Sequence, residues 1–156
     1  MMIRTTQVKI RLLLAILLCL GLQACGDPPS PPEEAIREWV DAAQRFAEEQ
    51  DRNGLVDLIS PAYSDSRGNE RDDIENMFRL YFLRQNNIEL LTSIGEIRVF
   101  GDTAAELDLT VGMAGTNDGV LGFSADAYNF ELELVLEGDE WLLMSGRWGE
   151  VGGEVH

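Results

Sequence analysis

Side chains able to do chemistry are few in this chain, and they are unevenly placed. The one histidine is His156, the last residue, and the two cysteines, Cys19 and Cys25, both lie near the start. A hydrolase built on a thiol or on an imidazole-activated serine therefore lacks its parts in the body of the chain. Nor is there a His/Cys group spaced for a transition metal. Asp51-Arg52-Asn53-Gly54 starts like a calcium loop, but the later glycine and bidentate glutamate are missing, so Asp51 reads better as a helix start. No glycine-rich phosphate loop precedes a helix, and no cofactor or metal is expected.

Carboxylate and phenol chemistry remain. Ser124, Asp126 and Tyr128 fall on the parity of Phe130, Leu132 and Leu134, so all share one face of a strand. A carboxyl group set in an apolar wall can transfer a proton, with a neighbouring phenol as hydrogen-bond donor. Asp126 and Tyr128 are thus the catalytic candidates. In the last hairpin, placing Leu136 opposite Trp141 puts Leu143, Ser145 and Arg147 on the same inner face. Asp126, Tyr128, Ser145, Arg147 and Tyr81 form the expected ligand-contacting set. The structural alternative is an Asp126–Arg147 pair, or an Asp126 that simply reaches water, with Tyr63 and Tyr81 as core filling.

These side chains need a sheet to carry them and helices to close it. Ser30-Pro31-Pro32-Glu33 has the spacing of a capping box with proline at the helix start. Ile36, Trp39, Val40, Ala43, Phe46 and Ala47 then recur at helical spacing through Gln50. A shorter helix carrying Leu55, Leu58 and Ile59 begins near Asp51 and is stopped by Pro61. Residues 60–70 are turn-rich, with room only for a very short strand. A third helix carries Ile74, Met77, Phe78, Tyr81 and Phe82, opened by Asn69 or Glu70 and closed by Asn86-Asn87.

From Ile88 the period changes to two. Leu107, Leu109, Val111 and Met113 alternate with polar or small residues, and Phe130, Leu132, Leu134 and Leu136 alternate with Glu131, Glu133 and Glu137, broken only by Val135. Gly101-Asp102 and Gly138-Asp139 mark hairpin turns, and the broken alternation at Ser93-Ile94-Gly95 marks a bulge or bend. Three N-terminal helices followed by a four-stranded antiparallel meander make an α+β domain over residues 33–149. One sheet face packs on helices and the acidic face meets water, which leaves that open face available to a second copy in a homodimer. Residues 150–156 are Gly-rich and unpatterned, and read as a flexible tail.

Ahead of this domain, Arg4, Lys9 and Arg11 precede eleven uncharged residues, Leu12–Leu22, followed by Gln23-Ala24-Cys25. A basic start, a short apolar run and a small residue before the cut make a secretory signal over residues 1–24. The run is shorter than the roughly 20 residues that cross a bilayer as a helix. Leu22-Gln23-Ala24-Cys25 resembles the lipobox of bacterial lipoproteins, which implies cleavage before Cys25 and acylation of its thiol. Four prolines follow within residues 26–32 and favour an extended spacer, reaching about 20 Å at ~3.1 Å per residue. Gly26, rather than Asp, follows Cys25. By the sorting habit of enteric-type lipoproteins, that implies an envelope protein facing the periplasm from the outer rather than the inner membrane.

The mature chain would keep 132 residues, with nine Arg, no Lys and 28 Asp plus Glu, a formal charge of −19. That excess repels phosphate backbones and disfavours nucleic acid as a partner. With Cys25 lipidated, no disulfide can form within one chain, so the core alone holds the fold.

NGLVDLISPAYSD, RDDIENMFRLYF and FELELVLEGDEWLLMSGRW, in that order, look like the nuclear transport factor 2-like superfamily, which includes the SnoaL-like proteins. The resemblance implies a curled sheet wrapped round a long helix, a cone whose mouth often holds a ligand. A cystatin-like helix-plus-meander is the other architecture. Some members are isomerases, dehydratases or cyclases, and others only bind; the His–Asp dyad of some family enzymes has no histidine here. The reading is a lipid-anchored, non-catalytic domain that binds a small apolar ligand or an envelope protein. A small isomerase- or dehydratase-type enzyme using Asp126 and Tyr128 is the alternative.

Overall fold

The computed structural model describes residues 31–116 and 123–155. The signal, Cys25, most of the spacer, Ser30, residues 117–122 and His156 lie outside them, as does the side chain of Ser124. Three helices come first: α1 (Pro32–Glu48), α2 (Arg52–Asp57) and α3 (Arg71–Phe82). The strands β1 (Asn87–Phe100), β2 (Ala104–Thr116), β3 (Phe123–Glu137) and β4 (Glu140–Glu150) form one antiparallel sheet in chain order. This is the expected α+β meander.

Local chemistry sets the helix ends. Pro31 is the N-cap of α1 and makes no side-chain cap bond, and Ser30, on which the expected capping box rests, lies outside the described residues. Pro32 starts it with its fixed φ, and Glu33 and Glu34 in the first turn complement the helix dipole. Asp51 caps α2 by accepting the Gly54 N–H at 3.0 Å, and the Glu70 N–H donates to Asp73 at 3.0 Å at the start of α3. Arg71 locks the end of α2, donating to the carbonyls of Val56 (2.9 Å) and Ile59 (3.1 Å).

The sheet curls because its outer strands are each one residue too long. β2 and β3 pair without interruption from Ala104–Val135 to Thr116–Phe123. In β1, Ile94 faces Leu109 but Ile97 faces Leu107, so Gly95 and Glu96 share Asp108. In β4, Leu143 faces Leu134 while Ser145 faces Glu133, which leaves Met144 as the extra residue. Each bulge bends its strand and increases the local twist. The concave face takes Ile36, Trp39 and Val40 of α1 against Leu107, Leu109, Val111, Leu132, Leu134 and Trp141. A second cluster joins Ile59, Tyr63 and Ile74, with Phe78, Leu143 and Trp148 packed against it.

Each sheet edge is engaged over part of its length, which shortens the unpaired strand that invites aggregation. On β1, Glu48 accepts the Leu90 N–H at 3.0 Å, and Gln44 donates to the Leu90 carbonyl at 3.3 Å. On β4, Leu143 exchanges backbone bonds with Leu58 and Ser60, and the Ser64 N–H reaches the Met144 carbonyl. The expected tail starts inside this sheet: Glu150 pairs with Tyr128, and the Val151 N–H donates to the Ala127 carbonyl at 2.9 Å.

Asp65 organises the turn-rich segment 60–70. Its carboxylate, only 8% exposed, accepts the N–H groups of Arg67 (2.9 Å) and Asn69 (2.8 Å) and the Asn69 side-chain amide (2.7 Å). Burial alone would raise its pKa; the hydrogen bonds from Asn69, Arg67 and Tyr63 together outweigh it and hold the pKa below the usual value. The unfolded chain therefore binds this proton more readily than the folded one. The stability that the carboxylate contributes is complete above its unfolded pKa, about 3.9, and is lost as pH falls through the lower folded value. Asp65→Ala is expected to lower the urea unfolding free energy by about 2 kcal/mol at pH 7. Asp65→Asn should flatten the acid limb of the stability curve below about pH 4.

Candidate functional site

Two elements carry the inward candidate side chains: the first half of β3 and the last turns of α3. The β2–β3 register sets Asp126 opposite Met113 and Tyr128 opposite Val111, on the parity of Phe130 and Leu132. The Tyr128 ring lies 6.4 Å from that of Phe130. From α3, Phe78 and Phe82 stack at 6.3 Å, and Tyr81 meets Phe82 edge-on at 6.4 Å. Packing α3 through Ile74 and Phe78 onto Tyr63 and Trp148 carries Tyr81 toward β3.

Electrostatics show which groups lie close enough to perturb one another. The Tyr81 phenol has a raised pKa, first from burial, then from the charge of Asp126 and the neighbouring Tyr128. The Tyr128 phenol is raised by burial, then by Asp126 and Glu150. Tyr81, Asp126, Tyr128 and Glu150 therefore share one electrostatic field. Asp126 itself is exposed, and so is Glu150, whereas both phenols are half-buried. Aromatic walls with carboxylates at a wet rim can hold an apolar body and hydrogen-bond its polar end.

Two expected members of the set are elsewhere. The extra residue Met144 reverses the parity of β4, so that Gly146 and Trp148 face inward opposite Leu132 and Phe130. Ser145 and Arg147 consequently lie on the outer face, opposite Glu133 and Glu131, and Arg147 forms an ion pair with Glu131. The Asp126–Arg147 pair does not form. Ser145 and Arg147 line a cleft of about 490 Å³ on that outer side, together with Arg98, Glu106 and Asp108. Tyr63 is buried in the second core cluster and donates to Asp65 at 3.4 Å, which makes it structural. Among the described residues no group of three or more His, Cys, Asp or Glu is arranged to hold a metal. Trp148 packs against the second core cluster, as a core or rim aromatic should, and Glu150, opposite Tyr128, is the inward residue that sequence reasoning missed.

No family model matches this chain, and no curated protein does. Solved structures do. A ketosteroid isomerase-like protein from Erwinia carotovora atroseptica has a TM-score of 0.62 at 11% identity, covering 76% of this chain and 95% of its own. A candidate scytalone dehydratase from Novosphingobium aromaticivorans has a TM-score of 0.70 at 12% identity, covering 80% of this chain and 85% of its own. A candidate dehydratase of the nuclear transport factor 2-like family from Streptomyces avermitilis has 0.67 at 15% identity, with 81% and 100% covered. At such identities the likeness shows the fold: the nuclear transport factor 2-like cone.

The shared field at the mouth has a direct test. Asp126→Asn removes a negative charge that opposes ionisation of both phenols, so the Tyr81 and Tyr128 pKa values should fall. Ultraviolet titration of the phenolates, with Tyr81→Phe and Tyr128→Phe as assignments, reads this. The Tyr63 transition, which belongs to another cluster, should stay where it is.

Proposed function

We propose that this chain is a lipid-anchored envelope protein whose cone-shaped domain binds a small apolar ligand, or an envelope protein partner, without catalysis. The mouth carries the binding half of this reading. Half-buried Tyr81 and Tyr128, extended by Phe82 and Phe130, offer aromatic walls next to carboxylates that remain in water. The apolar surface of the α3 end continues outward, with Met77 41%, Leu80 48% and Leu83 78% exposed. Contiguous exposed apolar side chains beside a concave opening suit a ligand or partner.

Isomerase or dehydratase chemistry, the activities in the descriptions of the similar structures, is the other reading. It needs Asp126 as a proton-transfer group in dry surroundings. The exposure of Asp126 argues against that role. The loss of Arg147 and Ser145 to the outer face removes two further groups that a substrate would have used.

The anchoring half rests on Leu22-Gln23-Ala24-Cys25 and the proline spacer behind it. Two acyl chains hold a protein stably at a bilayer, whereas one binds reversibly. With a formal mature charge of −19, the domain is repelled by anionic headgroups. Attachment then depends on the one thiol, and the address is the periplasmic side of the envelope.

Two measurements check these halves separately. Cys25→Ser should abolish incorporation of a palmitate analogue and release the chain from the membrane fraction or leave it uncut. Equal labelling of wild type and variant would refute the anchor. Wild-type protein extracted with organic solvent should yield an apolar small molecule by mass spectrometry, reduced about tenfold in Tyr81→Ala/Tyr128→Ala, a loss typical of two contact side chains. Turnover of that molecule, lost in Asp126→Asn, would establish the enzymatic reading instead.

A further inference from the structure

A second concavity lies where α1, the end of α2 and the β3–β4 turn meet, and it encloses about 420 Å³. Trp39 and Trp141 wall it, with Phe46 and Leu58 beside them. These walls are held from behind. The Trp39 indole N–H donates to the Leu58 carbonyl at 3.4 Å, and Trp141 pairs with Leu136 across the hairpin. Gly54 lies flat against Phe46, so close that a Cβ on it would sit 2.6 Å from the ring. Both indoles are in the main core, so the cleft is part of the fold rather than a gap between loops.

Its rim is acidic from three separate elements: Glu38 of α1, Asp57 of α2, and Asp139 and Glu140 of the turn. All four are exposed. Asp57 reaches Arg71 only at 3.9 Å, and no ion pair engages Glu38, Asp139 or Glu140 among the described residues. The nearby guanidinium of Arg45 lies 4.2 Å over the Phe46 ring and pairs with Glu49; neither Arg45 nor Arg71 lines the cleft. Three carboxylates without a cation and a fourth with only a distant one, gathered round the exposed margins of two largely buried indoles, leave the cleft electrostatically unfinished.

We propose that this cleft is a binding site for a small organic cation with an apolar body, such as an arylalkyl- or alkylammonium compound. The apolar body packs against Trp39 and Trp141, and the ammonium reaches the carboxylates of the rim. Indole is the aromatic group that attracts cations best, and the attraction grows as the cation is desolvated. A cleft of this volume lies within the range that holds small ligands. An anionic ligand of the same shape meets like charge on every side, and a neutral one leaves the rim unused. The site is separate from the mouth of the cone and does not depend on the function proposed there.

The test uses the full chain in a neutral detergent, titrated with phenethylammonium, its neutral analogue phenethyl alcohol and the anion 3-phenylpropionate. Tryptophan emission and calorimetry are the readouts. The cation should bind at millimolar concentrations or below, more tightly than the other two, and weaken as salt is raised. Glu38→Gln/Asp139→Asn/Glu140→Gln should weaken it about tenfold, as three exposed charges of ordinary strength allow, with an unchanged thermal midpoint. Tyr81→Ala/Tyr128→Ala should leave it unaltered. Alcohol and amine binding alike, an indifferent triple variant, or no binding of the cation at millimolar concentration each overturns the proposal. So does a lysine-bearing peptide that binds far more tightly than the free amine, because the cleft would then be a protein-docking site.

Discussion

One surplus residue in each outer strand shapes this molecule. β2 and β3 pair in unbroken register along their length, so their backbone hydrogen bonds hold a regular centre. Against that centre, the bulge at Gly95-Glu96 and the bulge at Met144 bend the two flanks. A bulge increases the right-handed twist of the strand that carries it, and two of them on opposite flanks close a flat meander into a cone. The hollow then has to be filled. Ile36, Trp39 and Val40 fill it from α1, and α3 brings Tyr81 within the electrostatic reach of Asp126 and Tyr128 on β3.

The same surplus residues decide which chemistry faces which way. Past Met144, the polar residues Ser145 and Arg147 turn outward, and Trp148 turns in. The outer face gathers Glu106 opposite Glu133 and Asp108 opposite Glu131. Like charges directly opposite one another destabilise a ladder. Arg98 offsets this by bridging Glu96, Glu106 and Asp108, and Arg147 does so at Glu131. Two of the few basic residues are thus committed to making an acidic sheet face tolerable, which leaves the concave mouth without either of them.

How far this was legible in the sequence follows from the pattern each element leaves. Leu107 to Met113 and Phe130 to Leu134 alternate cleanly because no extra residue interrupts their pairing, and the glycines at the turns adopt the positive φ that such hairpins require, 62° at Gly101 and 65° at Gly138. The first bulge shows because Ile94 and Ile97 are both apolar on opposite parities. The second is silent. Leu142, Leu143 and Met144 are apolar on both parities, so nothing in that run reveals the reversal that displaces Ser145 and Arg147. One trace survives at Trp148, which unbroken alternation would have put on the acidic face. The electrostatic coupling of Tyr81 to Asp126 left no local trace, since it depends on how a helix docks across the sheet. Nor did the role of Asp65, which lies in a segment that reads only as turn-rich.

The central claim is that the wide end of the cone holds a ligand between α3 and β3 and releases it unchanged. Nuclear Overhauser contacts in the protein with isotope-labelled tyrosines, loaded with the molecule extracted from the native chain, measure this directly. Contacts from the ligand to the Tyr81 and Tyr128 rings, none to Tyr63, and a ligand spectrum constant over days are the expected result. Contacts confined to other residues, or a ligand converted to product while the spectra are recorded, would contradict it.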